Sequence, residues 1–201
     1  MCANISHSYE YGYTAGKLAA DWLNTNCSAS QTVACALLTK PQSLAVIDRA
    51  NGIIEGLREN CTFAQIVATK PYSDQASARE MTEQMMRGHP EIRCIVGVSD
   101  MSILGAYDAL EAMNLLNEEM CLVGIDASAP VLKKIQEGTV IRGSVSQDTK
   151  GFAEVTIHAA AIAAIQGNPL PESSIKIEAV TMENIAAYLQ AEAASHSTPA
   201  S

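Results

Sequence analysis

Aromatic residues are scarce in this sequence and make up only 4% of its 201 residues. Hydrophobic residues nevertheless reach 48%, so the core has to be filled by Ala, Val, Ile, Leu and Met. Charged residues are also few, at 17%, and the basic ones form no stripe or cluster. Because the net charge is −9, the chain repels phosphate backbones, which argues against nucleic acid as a partner of these residues.

Several motifs with known chemistry are missing. The sequence has no GxGxxG or GxxxxGK[ST] loop and no GxSxG turn, which argues against dinucleotide-binding proteins, P-loop NTPases and hydrolases of the GxSxG type. The four histidines lie far apart and the six cysteines form no CxxC pair, so we expect no metal site and no cofactor. Without a base–nucleophile pair, we expect a protein that is not an enzyme. No apolar run approaches the roughly 20 residues that a membrane span needs.

A regular alternation of short apolar runs and amphipathic segments is what the sequence does contain. Such an alternation is typical of βαβ units with right-handed crossovers. It predicts an α/β fold, a doubly wound parallel sheet with helices on both faces. Strands are predicted at residues 32–38, 63–68, 92–98, 121–125, 140–145 and 175–180, and helices at 9–23, 44–58, 73–87, 101–113, 129–136 and 150–166. A last helix is predicted after Thr181, which we expect to be its cap.

Ligands of doubly wound sheets bind beyond the carboxyl ends of the strands. The loops that follow the predicted strands are therefore the candidate sites. Four of these loops are rich in polar and charged side chains. They cover residues 39–43, 70–74, 99–100 and 126–128.

Seven short motifs occur in a fixed order along most of the chain. They are Gly16–Leu23 (GKLAADWL), Asp48–Ile53 (DRANGI), His89–Ile92 (HPEI), Ser99–Ala106 (SD…LGA), Val123–Asp126 (VGID), Ser146–Asp148 (SQD) and Val180–Ile185 (VTMENI). In order and spacing they resemble the type 1 periplasmic binding proteins, the ribose/galactose-type sugar-binding proteins of ABC transporters. Effector cores of lactose-repressor-type regulators are relatives of that family. The resemblance implies the second of the family's two lobes, with the first lobe absent from this chain.

Two residues stand out once this resemblance is drawn. Arg49 falls on the family's binding arginine, whose fork of donors suits sugar hydroxyls; the alternative is a surface salt bridge with Asp48 or Glu55. Asp126 ends a predicted buried strand, where a carboxylate accepts hydrogen bonds from two vicinal hydroxyls. Its alternative role is to cap the following helix, which Ser128 also suits.

Four further residues complete the predicted ligand site. Ser99 stands where the family has Asn, which leaves the choice of sugar open. Gln147 falls on the hinge glutamine, where it either binds ligand or forms a hinge hydrogen bond. Tyr72 and Ser73 lie where the family often places a stacking aromatic, with Ser73 at the aligned position and Tyr72 one residue away. Asp100 is predicted to be a helix cap.

The resemblance also implies an organisation and a role. Residues 1–147 form a ligand-binding lobe, 148–181 a helix and strand that return to the first lobe, 182–193 a terminal helix and 194–201 a disordered tail. The implied function is a solute-binding component of an ABC importer that binds a monosaccharide or polyol and docks on a permease. The alternative is the effector-binding core of a transcription regulator.

Location and assembly follow from the same resemblance. A periplasmic or cell-surface lipoprotein location is implied, although this chain shows no signal peptide. A cytoplasmic location is the alternative, favoured by six cysteines without obvious pairing. We expect self-association as a homodimer through the surface that the missing lobe normally covers.

Overall fold

The structure is a computed structural model that describes residues 4–147 and 177–197. The predicted helix at residues 150–166 lies outside the described residues. The helices are α1 (Asn4–Asn26), α2 (Leu44–Asn60), α3 (Gln75–Gly88), α4 (Asp100–Ala112), α5 (Ala129–Gln136) and α6 (Ile185–Ser197). The strands are β1 (Val33–Thr39), β2 (Ala64–Pro71), β3 (Ile92–Gly97), β4 (Cys121–Ile125), β5 (Ile141–Gln147) and β6 (Ile177–Thr181).

One six-stranded sheet organises the fold, with the strand order β2-β1-β3-β4-β5-β6. The first five strands are parallel, which confirms the predicted parallel α/β sheet. All five residues of β4 and the first six of β1 are buried. Since side chains alternate between the two faces of a strand, both faces of the sheet are covered. The continuous apolar runs in the sequence reflect this double burial.

The last strand differs from its expected place. We expected the strand near residues 175–180 to return to the first lobe, but β6 pairs antiparallel with β5 in the sheet of this lobe. Its end is closed by Asn184, whose Oδ1 accepts from the Thr181 N–H at 2.8 Å. The helix α6 begins at Ile185, and the Thr181 Oγ1 accepts from the Glu183 N–H at 3.3 Å in the turn that leads into it. The helix extends to Ser197, so residues 194–197 are helical rather than part of a tail.

The helices α1 and α2 are in direct backbone contact. Gly12 and Gly16 lie one turn apart on α1, and Gly52 and Gly56 repeat this spacing on α2. A Cβ atom on any of the four would overlap a carbonyl oxygen of the other helix. Only glycine permits this approach. The contact fixes α2, and with it Arg49, relative to the sheet.

We predict that Gly52→Ala destabilises the fold by roughly 1–3 kcal/mol, because the added Cβ would overlap the Tyr9 carbonyl oxygen and force the helices apart. Gly88→Ala is the matched control, since a Cβ there has no neighbour within 4 Å. Urea denaturation of both variants gives the free energies of unfolding. Equal stability of the two variants would contradict the close packing.

Candidate ligand-binding site

Arg49, Asp126 and Gln147 meet at the carboxyl edge of the sheet, although they are far apart in sequence. Asp126 follows β4, Gln147 ends β5, and Arg49 lies in the second turn of α2. The Gln147 Nε2 donates to Asp126 Oδ1. Arg49 Nη2 lies 3.5 Å from Gln147 Oε1, and its Nη1 lies 3.9 Å from Asp126 Oδ1. A cation, an anion and an amide therefore form one connected group.

The guanidinium of Arg49 is held from several sides. Its Nη1 donates to the carbonyl of Val98 at 2.9 Å, at the end of β3. The ring centroid of Tyr11, on α1, lies 5.9 Å from the guanidinium carbon. The side chain is only 13% exposed, whereas that of Asp126 is 39% exposed. Arg49 is thus positioned in advance, and the remaining Nη hydrogens are available as ligand donors.

Two carboxylates at this edge accept from the start of a neighbouring helix. Asp126, which follows β4, contacts the start of α4, and Asp100, which follows β3, contacts the residue before α5. Asp126 Oδ2 accepts from the N–H of Asp100, the first residue of α4, at 3.4 Å. Asp100 Oδ2 accepts from the N–H of Ser128, directly before α5, at 2.6 Å. Neither carboxylate caps the helix that directly follows it. The capping role predicted for Asp100 is therefore found at the neighbouring helix α5, because its side chain reaches across to Ser128.

Asp100 is a structural residue of the site that sequence reasoning did not identify as such. Its Oδ1 accepts from the Ser144 hydroxyl at 2.6 Å, and the same hydroxyl accepts from the Ala127 N–H at 2.9 Å. Burial raises the pKa of Asp100 to about 6, against the effect of these hydrogen bonds. A Cβ at Gly124 would overlap its carboxylate. The glycine two residues before Asp126 was the available sequence signal.

The turn after β4 adopts an unusual backbone conformation. Asp126 has φ 128° and Ala127 has φ 49°, both outside the range that side chains other than glycine favour. Such conformations cost on the order of 1–3 kcal/mol each and cluster at functional sites. Burial raises the pKa of Asp126, and the neighbouring Arg49 opposes that rise.

Tyr72 and Ser73 do not form the stacking face that the resemblance implied for this position. Tyr72 is only 4% exposed, and its hydroxyl lies 2.7 Å from Ser99 Oγ. Its ring face is therefore covered by protein. The N–H of Ser73 donates to Ser77 Oγ at 2.9 Å, within the N-terminal capping cluster of α3. Of the two, only the Tyr72 hydroxyl contacts another predicted site residue.

The described residues contain neither a metal-binding cluster nor a membrane-spanning helix, and most of their cysteines are buried. Within residues 4–147 and 177–197 no cluster of His, Cys, Asp or Glu has an arrangement that fits a metal ion. No helix in that part of the chain combines the length and the apolar character of a membrane span. Cys35, Cys94 and Cys121 are paired in register across β1, β3 and β4 and are fully buried. They are small residues of the core.

Comparison with known proteins places this geometry in a family. A model of the periplasmic binding protein domain matches residues 4–169, so the chain belongs to that family. No curated protein matches the sequence.

Solved structures share the fold. A periplasmic solute-binding protein of an ABC transporter from Actinobacillus succinogenes 130z, with bound D-allose, is 20% identical with TM-score 0.78, covering 90% of this chain and 62% of its own. A Mycobacterium smegmatis protein in complex with β-D-fucofuranose is 24% identical with TM-score 0.79, over 94% of this chain and 61% of its own. A solute-binding protein of an ABC transporter from Bacillus halodurans C-125, with bound myo-inositol, is 26% identical with TM-score 0.73. The match covers 86% of this chain and 59% of the Bacillus halodurans protein. The chain thus spans about three-fifths of these proteins.

The raised pKa of Asp100 predicts a specific pH dependence. Folding favours its protonated form, so its contribution to stability is present below the unfolded pKa near 4 and is lost as pH rises to about 6. The free energy of unfolding of the wild type, minus that of Asp100→Asn, should therefore fall between pH 4 and 7 by up to about 3 kcal/mol. Urea denaturation across this range measures the difference.

Asp74→Asn is the matched control for this experiment. Hydrogen bonds from Ser77 lower the pKa of the exposed Asp74, so the corresponding difference should rise with pH. A difference between the wild type and Asp100→Asn that is independent of pH would contradict the assignment.

Proposed function

We propose that this chain is the second lobe of a solute-binding component of an ABC importer, and that it supplies half of a site for a monosaccharide or similar polyol. Arg49, Asp126 and Gln147 are the central ligand contacts, with Ser99 beside them. The observation that carries this proposal is the convergence of a held guanidinium and a partly exposed carboxylate at the carboxyl edge of the sheet.

The chemistry of these groups matches vicinal hydroxyls. A hydroxyl both donates and accepts, so one ligand oxygen can donate to Asp126 while accepting from Arg49. The Gln147 amide makes both kinds of contact, because its Nε2 donates to the carboxylate and its Oε1 faces the guanidinium. A diol would take over both contacts. Hydrogen bonds to charged groups are stronger than those between neutral groups.

The similar structures and two exposed apolar residues support the ligand class and the presence of a covering lobe. The bound D-allose, β-D-fucofuranose and myo-inositol of the similar structures support a sugar or polyol ligand. Their greater length supports a second lobe over the ligand. Leu44 and Met101, at the starts of α2 and α4 by the site, are 73% and 45% exposed. Such exposed apolar residues suit burial by that lobe or, in its absence, by a second copy of the chain.

The family and its relatives also support a partner, a location and a role for the protein. We propose a permease of an ABC transporter as the partner, a periplasmic or cell-surface location, and ligand binding without catalysis.

We predict that the 201-residue chain alone binds D-allose or myo-inositol with a dissociation constant in the millimolar range or weaker. One lobe leaves the ligand wet, so each hydrogen bond contributes on the order of 1 kcal/mol. A few such bonds barely offset the ~4 kcal/mol or more of lost translational and rotational freedom. Titration calorimetry is the measurement. Micromolar binding by the monomer would show that this lobe forms a complete site without a second lobe.

Asp126→Ala should weaken this binding by about tenfold, since it removes a charged acceptor. Chemical-shift titration with the same two ligands reaches the millimolar range and reports the affinity. Glu111→Gln is the control, because Glu111 is an exposed residue near the far end of α4. Equal affinities of the two variants would exclude Asp126 as a ligand contact.

A further inference from the structure

A cavity lies at the opposite edge of the sheet from the candidate site, and we refer to it as the distal cavity. It has a volume of about 410 Å³ and is lined by the second half of α1, the end of α5, the start of β5 and the end of β6. Its lining includes Leu18, Asp21, Trp22, Asn26, Arg142, Met182 and Glu183. Its volume falls within the range of small-molecule sites, about 300–1,000 Å³.

The distal cavity is separate from the proposed sugar site. Gln147 ends β5 at the carboxyl edge, whereas Ile141 and Arg142, at the start of the same strand, line the cavity. A strand of seven residues spans roughly 20 Å. Gln147 pairs with Ile177 at the carboxyl edge, whereas Gly143 pairs with Thr181 towards the opposite edge, where the cavity lies.

The cations near the distal cavity are already engaged. Arg142 donates to the carbonyls of Met120, Thr139 and Glu118 at 3.1, 3.3 and 2.7 Å, and its guanidinium carbon lies 5.1 Å from the Trp22 ring centroid. Lys17 is paired with Asp21 at 2.6 Å. These contacts leave the cavity without a strong excess of either charge.

The polar atoms left open in the distal cavity are mainly acceptors. Asn26 uses its Nδ2 to donate to the Trp22 carbonyl at 2.8 Å, which leaves Oδ1 open. Among the described residues, the exposed carboxylate of Glu183 forms no hydrogen bond or ion pair, and Asp21 has one open oxygen. Leu18, Trp22 and Met182 supply apolar surface beside these acceptors. A matching ligand has several donors and an apolar C–H face.

We propose that the distal cavity is a second binding site, for a neutral polyhydroxylated ligand of the carbohydrate type. Hydroxyl groups donate to Glu183, Asn26 and Asp21, and ring C–H groups pack on Trp22 and Met182. A small organic amine is the competing ligand, since it too donates to carboxylates. The near balance of charge around Arg142 and the Lys17–Asp21 pair favours the neutral class.

Trp22 makes the proposal directly measurable, because it is the only tryptophan in the chain. Glucose, maltose and myo-inositol are titrated into the full chain while tryptophan fluorescence is followed, with putrescine as the amine probe. We expect a saturable change with at least one of the three polyols, at millimolar concentration, and none with putrescine. Asp126→Ala should leave that change intact, since Asp126 lies at the opposite edge.

Two substitutions at Glu183 separate a polyol from an amine. Glu183→Ala should weaken the fluorescence-detected binding by about tenfold. Glu183→Gln should retain most of it, because the amide oxygen still accepts from a hydroxyl; an amine would lose affinity in both variants. Absence of a saturable change with all three polyols, a change seen only with putrescine, or loss of the change in Asp126→Ala would each overturn the proposal. None of these results bears on sugar binding at Asp126 except the last, which would assign the signal to that site.

Discussion

The buried carboxylate of Asp100 is the contact on which the carboxyl edge of the sheet depends. It joins the start of α4 to Ser128 before α5 and to Ser144 on β5, so three chain segments share one acceptor. Without this carboxylate, the Ser128 N–H and the Ser144 hydroxyl would lose their hydrogen-bond acceptor. The positions of Asp126 and Gln147, which flank the same segments, follow from this arrangement.

The packing of α1 on α2 determines where Arg49 lies in the site. Backbone contact at Gly12 and Gly52 leaves little freedom for α2 to slide or rotate against α1. Arg49 extends from this fixed helix to the Val98 carbonyl, so its guanidinium reaches β3 at a defined point. Two rigid constraints, one polar and one steric, therefore position an arginine and a carboxylate that lie 77 residues apart.

Sequence patterns predicted β1 and β4 well because both are nearly continuous apolar runs flanked by polar loops, and they located the other parallel strands from shorter apolar stretches. They failed where a side chain reaches beyond its own segment. Asp100 was predicted to be a helix cap, yet its partners lie on β5 and before α5, contacts that no local pattern encodes. Tyr72 was a candidate for stacking, but its burial against Ser99 depends on how two loops meet. The pairing of β6 with β5 likewise depends on tertiary contacts that the sequence of β6 does not indicate.

The Gln147 amide would compete with the proposed ligand for the same groups. Because Gln147 donates to Asp126 and faces Arg49, binding of a sugar hydroxyl there would exchange one set of hydrogen bonds for another. A solute that offers a single hydroxyl gains little from such an exchange. Under the proposed function, a solute with adjacent hydroxyls replaces more of these contacts than a single hydroxyl does, so the exchange favours polyols over simple alcohols.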